Sequence, residues 1–91
     1  MEFLEEKNRF IAMNDAQEVM GEITYSPAGE HLWIIDHTQV NDQFRGQKVG
    51  NQLVEHLASE ARNRKKKILP LCPFAKKITE NDFENYQDIL H

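Results

Sequence analysis

A single cysteine among 91 residues leaves no partner for an internal disulfide and fits a reducing compartment. No apolar run approaches the ~20 residues that a membrane-crossing helix needs. The first residues, Met1-Glu2-Phe3-Leu4-Glu5-Glu6, are acidic and lack the basic and apolar regions of a signal peptide. Positive charge is in short supply: 11 basic residues face 15 acidic ones, for a net charge of -4. Nucleic-acid binding normally wants a basic field, so that class is disfavoured. There is no internal repeat and no low-complexity tract. These lacks point to a cytoplasmic domain with no nucleic-acid or membrane partner and no metal. What is present is a globular composition, 40% hydrophobic. A chain this short builds one core rather than two, so residues 1–91 read as a single domain.

Three strands come first. Arg9 to Met13 is one. Asn14-Asp15-Ala16 is turn chemistry. Glu18 to Tyr25 alternates Val19, Gly21, Ile23 and Tyr25 against Glu18, Met20, Glu22 and Thr24. Ser26-Pro27-Ala28-Gly29 breaks it. His31 to Val40 carries Leu32-Trp33-Ile34-Ile35, a continuous apolar stretch suited to a central strand. The joining turns are too short for crossovers, which predicts an antiparallel meander. The period then changes. Val49, Leu53, Val54, Leu57, Ala58 and Ala61 recur at helical spacing, predicting an amphipathic helix over 48–64. Arg62, Arg64, Lys65, Lys66 and Lys67 read as a solvated end that complements the helix dipole. Ile68-Leu69-Pro70-Leu71 makes a short strand, and strand–helix–strand implies a parallel pair. A last helix is expected from Thr79 or Asn81, its apolar face formed by Phe83, Tyr86, Ile89 and Leu90. The fold class is α/β (α+β): an antiparallel meander continued by one parallel βαβ crossover, with a C-terminal helix packed on the sheet.

Arg45-Gly46-Gln47-Lys48-Val49-Gly50 joins the third strand to the long helix. Helix starts carry unpartnered N–H groups and partial positive charge, which together make an anion site. Gly46 permits close backbone approach, and Arg45 and Lys48 add charge. Gly50 is unfavourable in a first turn by up to about 1 kcal/mol, so something should compensate, and close ligand approach is one candidate. No Gly-Lys-Ser/Thr ending is present, which excludes a P-loop, and the glycine spacing does not match a dinucleotide fingerprint.

On these residues the chain resembles the GNAT superfamily of acetyl-CoA-dependent N-acetyltransferases. The family's phosphate motif is Gln/Arg-x-x-Gly-x-Gly/Ala. Arg45 and Gly50 match its ends, and Lys48 stands where the family prefers glycine. His37-Thr38-x-Val40 and Pro70-Leu71-Cys72-Pro73-Phe74-Ala75-Lys76-Lys77 resemble a subgroup of very small, minimal GNAT-like proteins. The resemblance implies that the cofactor is acetyl-CoA or coenzyme A. It implies pantetheine held by backbone near Val40 and pyrophosphate held by Arg45, Gly46, Gln47, Lys48, Val49 and Gly50, with Asn51 close by. It implies that the third and fourth strands splay to admit the cofactor arm. Phe74, Lys76 and Lys77 would line its adenine and 3′-phosphate end, or would form a solvated basic loop after a proline turn. The activity implied is acetyl transfer to an unidentified amine; the alternative is an acyl-CoA-binding module with little catalysis.

Transfer to an amine needs a route for the amine's proton. His37, on the strand just before the loop, is the acid–base candidate; otherwise it is a histidine hydrogen-bonded at a strand end. Cys72 is the side chain able to act covalently; otherwise it is a small buried hydrophobe. Tyr86 lies on an apolar face and reads as core before it reads as a proton donor. Glu22 and His31 read as solvated, and Trp33 as core.

Overall fold

Phe10 and Ala12, then Ile23 and Tyr25, then Trp33 and Ile35, recur at the two-residue spacing that puts side chains on one face of a strand. The computed structural model, which describes residues 1–91, places all six in the core. Five strands form one sheet in sequence order: β1 (Glu2–Glu6), β2 (Arg9–Met13), β3 (Val19–Ala28), β4 (Leu32–Val40) and β5 (Lys67–Pro70). The first four pair antiparallel and β5 pairs parallel with β4. α1 (Val49–Asn63) provides the crossover and buries the expected stripe of Val49, Leu53, Val54, Leu57, Ala58 and Ala61 against the inner face. Phe10, Tyr25 and Trp33 stack there, the last two rings 4.3 Å apart. The opposite face carries Arg9, Glu22, Thr24, His37 and Gln39, all exposed or half-buried. No helix is long and apolar enough to cross a membrane.

Four expectations are corrected. β1 adds an edge strand that the sequence pattern did not announce. Only Phe3 of its five residues is partly buried, stacked on His56 of α1, so it has no readable period. β3 runs on through Ser26-Pro27 to Ala28. β2 starts at Arg9, opposite Thr24, so no ladder bond is asked of Pro27 on that side. The last helix begins earlier than expected. α2 spans Pro73–Asn81, with Pro73 in the first turn, where its fixed φ suits a helix start. Only a single turn, α3 (Phe83–Tyr86), follows; Ile89 and Leu90 lie outside it, and Ile68 N–H donates to Ile89 O at 2.7 Å. The basic run is not simply solvated. Arg62 binds Asp88 at 2.8 Å, and Arg64 bridges Glu5 of β1 and Glu60 of α1. These guanidiniums hold the Asp88 and Glu5 carboxyls below their ordinary range.

Candidate functional site

β4 outlasts β5. Their pairing runs from Leu32–Lys67 to Ile35–Pro70, and the Leu71 and Cys72 N–H groups then converge on the Ile35 carbonyl at 3.1 and 3.3 Å. The chain turns away into α2, while β4 continues through Asp36–Val40 against β3 alone. A bulge falls at this parting, where the β3 register jumps from Thr24–His37 to Tyr25–Ile35 and leaves Asp36 unpaired. Beyond it, Asn41 N–H donates to Met20 O at 2.9 Å. Counting back in twos along an antiparallel ladder, Gln39 and His37 face β3, and the backbone groups of Thr38 and Val40 face away from it. They form an open edge on the side that β5 has vacated. The splay between these strands, implied by the resemblance, is present.

The open edge leads to the loop before α1. Asn41 ties the strand end down, its Nδ2 donating to Val19 O at 2.6 Å. A short 3-10 turn, Asp42–Phe44, follows. Gly46 then takes φ +84° and Lys48 φ +60°. Lys48 is the N-cap residue of α1 and gives no side-chain cap, nor does the first turn hold an acidic residue. The first N–H groups of α1 are therefore left for an outside anion. A left-handed conformation suits glycine and costs other residues roughly 1–2 kcal/mol. That is the physical reason a glycine would be preferred where Lys48 stands.

A cleft of about 480 Å³ opens here. Of the candidate cofactor residues, Val40, Arg45, Gly46, Lys48, Val49, Gly50, Asn51 and Phe74 line it, together with Thr38, Gln39 and Phe44, which sequence reasoning missed. Thr38 was recoverable from strand alternation, since it shares a face with Val40. Gln47, Lys76 and Lys77 are exposed and outside the lining. The two lysines sit on α2, not on a basic loop, which corrects that alternative. The constraint on Gly50 is also different from the one expected. A Cβ there would lie 2.5 and 2.6 Å from two ring carbons of Phe74, so a neighbouring side chain already makes the close approach.

The two catalytic candidates are not brought together. Cys72 is 5% exposed and caps α2: its Sγ accepts from Ala75 N–H at 3.5 Å and donates to Thr38 Oγ1 at 3.7 Å. His37 projects to the opposite face of β4, because neighbouring strand residues alternate. It is half-exposed, with Nε2 3.1 Å from Glu22 Oε2 and Nδ1 3.3 Å from Thr24 Oγ1. Glu22 is not simply solvated, as the sequence suggested; its other oxygen takes Arg9 Nη1 at 3.1 Å. His31 is exposed beside Glu30. Tyr86 is buried, and burial pushes its hydroxyl pKa up. Trp33 is core, covered by Arg64.

A family model described as GCN5-related N-acetyl-transferase matches residues 9–89. A sequence comparison with curated proteins finds no match. Among solved structures, a GCN5-like protein from Staphylococcus aureus, determined by NMR, is 34% identical with a TM-score of 0.79, over 99% of this chain and 87% of that one. A GNAT family acetyltransferase from Elizabethkingia anophelis, solved with acetyl-CoA bound, is 23% identical with a TM-score of 0.59, over 66% of this chain and 39% of that one. A Mycobacterium tuberculosis protein in complex with CoA is 19% identical with a TM-score of 0.60, over 67% and 39%. The last two share the fold, and the chain spans about two-fifths of their length.

Proposed function

Since the chain belongs to the GCN5-related N-acetyltransferase family, a family of acyltransferases, we propose that it binds acetyl-CoA and passes the acetyl group to an amine. One observation carries this reading: the open backbone edge of β4 runs straight into a cleft floored by an uncapped helix start. The residues present fit the pantetheine arm and the pyrophosphate of the cofactor. Thr38 and Val40 offer backbone groups to an extended amide-bearing arm, as a sheet edge does to an added strand. The first N–H groups of α1, with Arg45 and Lys48 beside them, suit a pyrophosphate. When bound, acetyl-CoA supplies the activated acetyl thioester. His37 takes up the amine's proton on the outer face. Cys72 is the alternative acyl carrier, but its burial and its capping bond to Ala75 favour direct transfer.

A second reading has its own observation. Cys72 and His37 lie on opposite faces of β4, and neither lines the cleft. That arrangement favours an acyl-CoA-binding module with little turnover. Thermal shift tests both readings against a chain that binds no cofactor. At about 100 times its dissociation constant, acetyl-CoA should stabilise the fold by about 2.7 kcal/mol. No shift with acetyl-CoA or CoA overturns both. A shift without release of thiol in the presence of amines selects the binding module.

A further inference from the structure

Acid–base work by a histidine depends on which ring nitrogen holds the proton. A neutral imidazole has one donor and one acceptor nitrogen, and its partners set which is which. The Nε2 of His37 lies 3.1 Å from a carboxylate oxygen of Glu22, which can only accept. The Nδ1 faces Thr24 Oγ1 at a longer 3.3 Å, and a hydroxyl can donate to it. Glu22 is itself held: Arg9 Nη1 binds its other oxygen at 3.1 Å, and Arg9 is anchored by Glu6 at 2.7 Å. The Glu22 side chain is only 27% exposed, against 53% for His37. A chain of contacts thus crosses three strands, from β2 through β3 to β4, and ends on the imidazole. The remaining charged neighbour is Asp36, which accepts from Ser26 Oγ at 2.6 Å and is engaged there.

We propose that Glu22 is a positioning residue that fixes His37 in the Nε2–H form and leaves Nδ1 as the atom that accepts the amine's proton. This rests on the reading of His37 as the base. As the amine nitrogen bonds to the acetyl carbon, the carbon–sulfur bond of the donor breaks. The amine's proton goes to Nδ1, the thiolate is protonated from water, and His37 returns its proton to solvent. Thr24 is the group that the amine displaces from Nδ1. Glu22 touches neither substrate; it acts through the ring.

Two readouts test this. Nitrogen NMR of the His37 ring, without any ligand, should show a protonated Nε2 and a bare Nδ1 in the wild type. Glu22→Ala should move both shifts toward a mixture of tautomers. Ser26→Ala breaks the Ser26–Asp36 contact between the same two strands and should keep the wild-type pattern, which controls for simple loosening of the sheet. With acetyl-CoA and butylamine, Glu22→Ala should lower kcat roughly tenfold with an unchanged KM for acetyl-CoA. In a His37→Gln background it should have no further effect. Unchanged ring shifts in Glu22→Ala overturn the proposal, as does an equal kcat loss with and without His37. Absence of thiol release from the wild type counts against acetyl transfer itself, and the ring shifts then still decide whether Glu22 sets the tautomer.

Discussion

Gly50 offers the sharpest test of how the cleft is built, because two effects of known sign oppose each other there. Adding a methyl group in the first turn of α1 should gain up to about 1 kcal/mol of helix propensity. The same methyl would stand 2.5 and 2.6 Å from the Phe74 ring, where no real contact persists. The atoms it meets are the far end of a side chain that is 41% exposed, so the ring can swing outward. Swinging out forfeits part of what the ring buries. Full burial of a phenylalanine contributes about 1.5–3 kcal/mol, so a ring about three-fifths buried should contribute roughly 1–2. Gly50→Ala alone should therefore be neutral or destabilise by up to about 1 kcal/mol. Phe74→Ala alone should cost roughly 1–2 kcal/mol. In the Phe74→Ala background, however, Gly50→Ala meets no ring and should stabilise. The double-mutant cycle should thus show a coupling of about 1–2 kcal/mol, within the usual range for residues in contact. Urea unfolding followed by circular dichroism measures it, and each kcal/mol corresponds to roughly 4–8 °C in Tm for a domain this size. An identical effect of Gly50→Ala in both backgrounds would refute the claim that the ring rests on the helix backbone.

Three other expectations follow from single positions. Lys48→Gly should raise stability by up to about 1 kcal/mol, because φ +60° ceases to be strained, whereas Lys48→Ala should not; thermal melts of the pair decide. His56 is held below its ordinary pKa, chiefly by burial against Phe3 and Phe10. Its unfolded form therefore binds a proton more readily, so stability should be full above about pH 6.5 and fall as pH drops toward the folded value. Glu5 and Asp88, held low by arginines, titrate below that window. Tm between pH 7.5 and 5.5 should fall less steeply in His56→Gln, and an equal slope would reject the assignment. Cys72→Ala should cost about 1 kcal/mol through loss of the α2 cap. It should leave acetyl transfer intact, and an acetylated wild-type protein by mass spectrometry, with activity lost in the variant, would restore the covalent route.

Much of this fold was legible because burial in it is periodic. α1 announces itself through Val49, Leu53, Val54, Leu57 and Ala61, and the structure buries every one. β4 announces itself as central, and strands pair on both sides of it. The failures occur where burial is not periodic. β1 packs through Phe3 alone, while Leu4 stays 46% exposed, so no alternation marks it. At Pro73 the same residue signals either a turn or a first helical position. The choice depends on the cap, and the cap is a cysteine, a residue outside the usual oxygen-bearing set. The last segment fails differently. Ile89 and Leu90 are spaced as a helix would space them, but they are spent on the free edge of β5, a long-range pairing that local pattern cannot report.

The site divides along the same line. Its cofactor half is nearly local in sequence: ten of the eleven lining residues fall within residues 38–51, and seven of those ten were candidates from the sequence. Its chemical half is assembled from separate strands. His37 acquires a carboxylate partner only because the bulge at Asp36 shifts the β3–β4 register, setting His37 opposite Thr24 and diagonal to Glu22. One residue of slip would turn His37 inward toward α1 and Thr38 outward. The bulge thus does two things at once. It separates His37 from Cys72 by the thickness of the sheet, and it lies where β5 parts from β4. A mechanism that needs both residues at one atom is hard to build on this geometry. A mechanism that needs His37 alone, with an amine arriving on the uncovered face, requires no rearrangement of the strands.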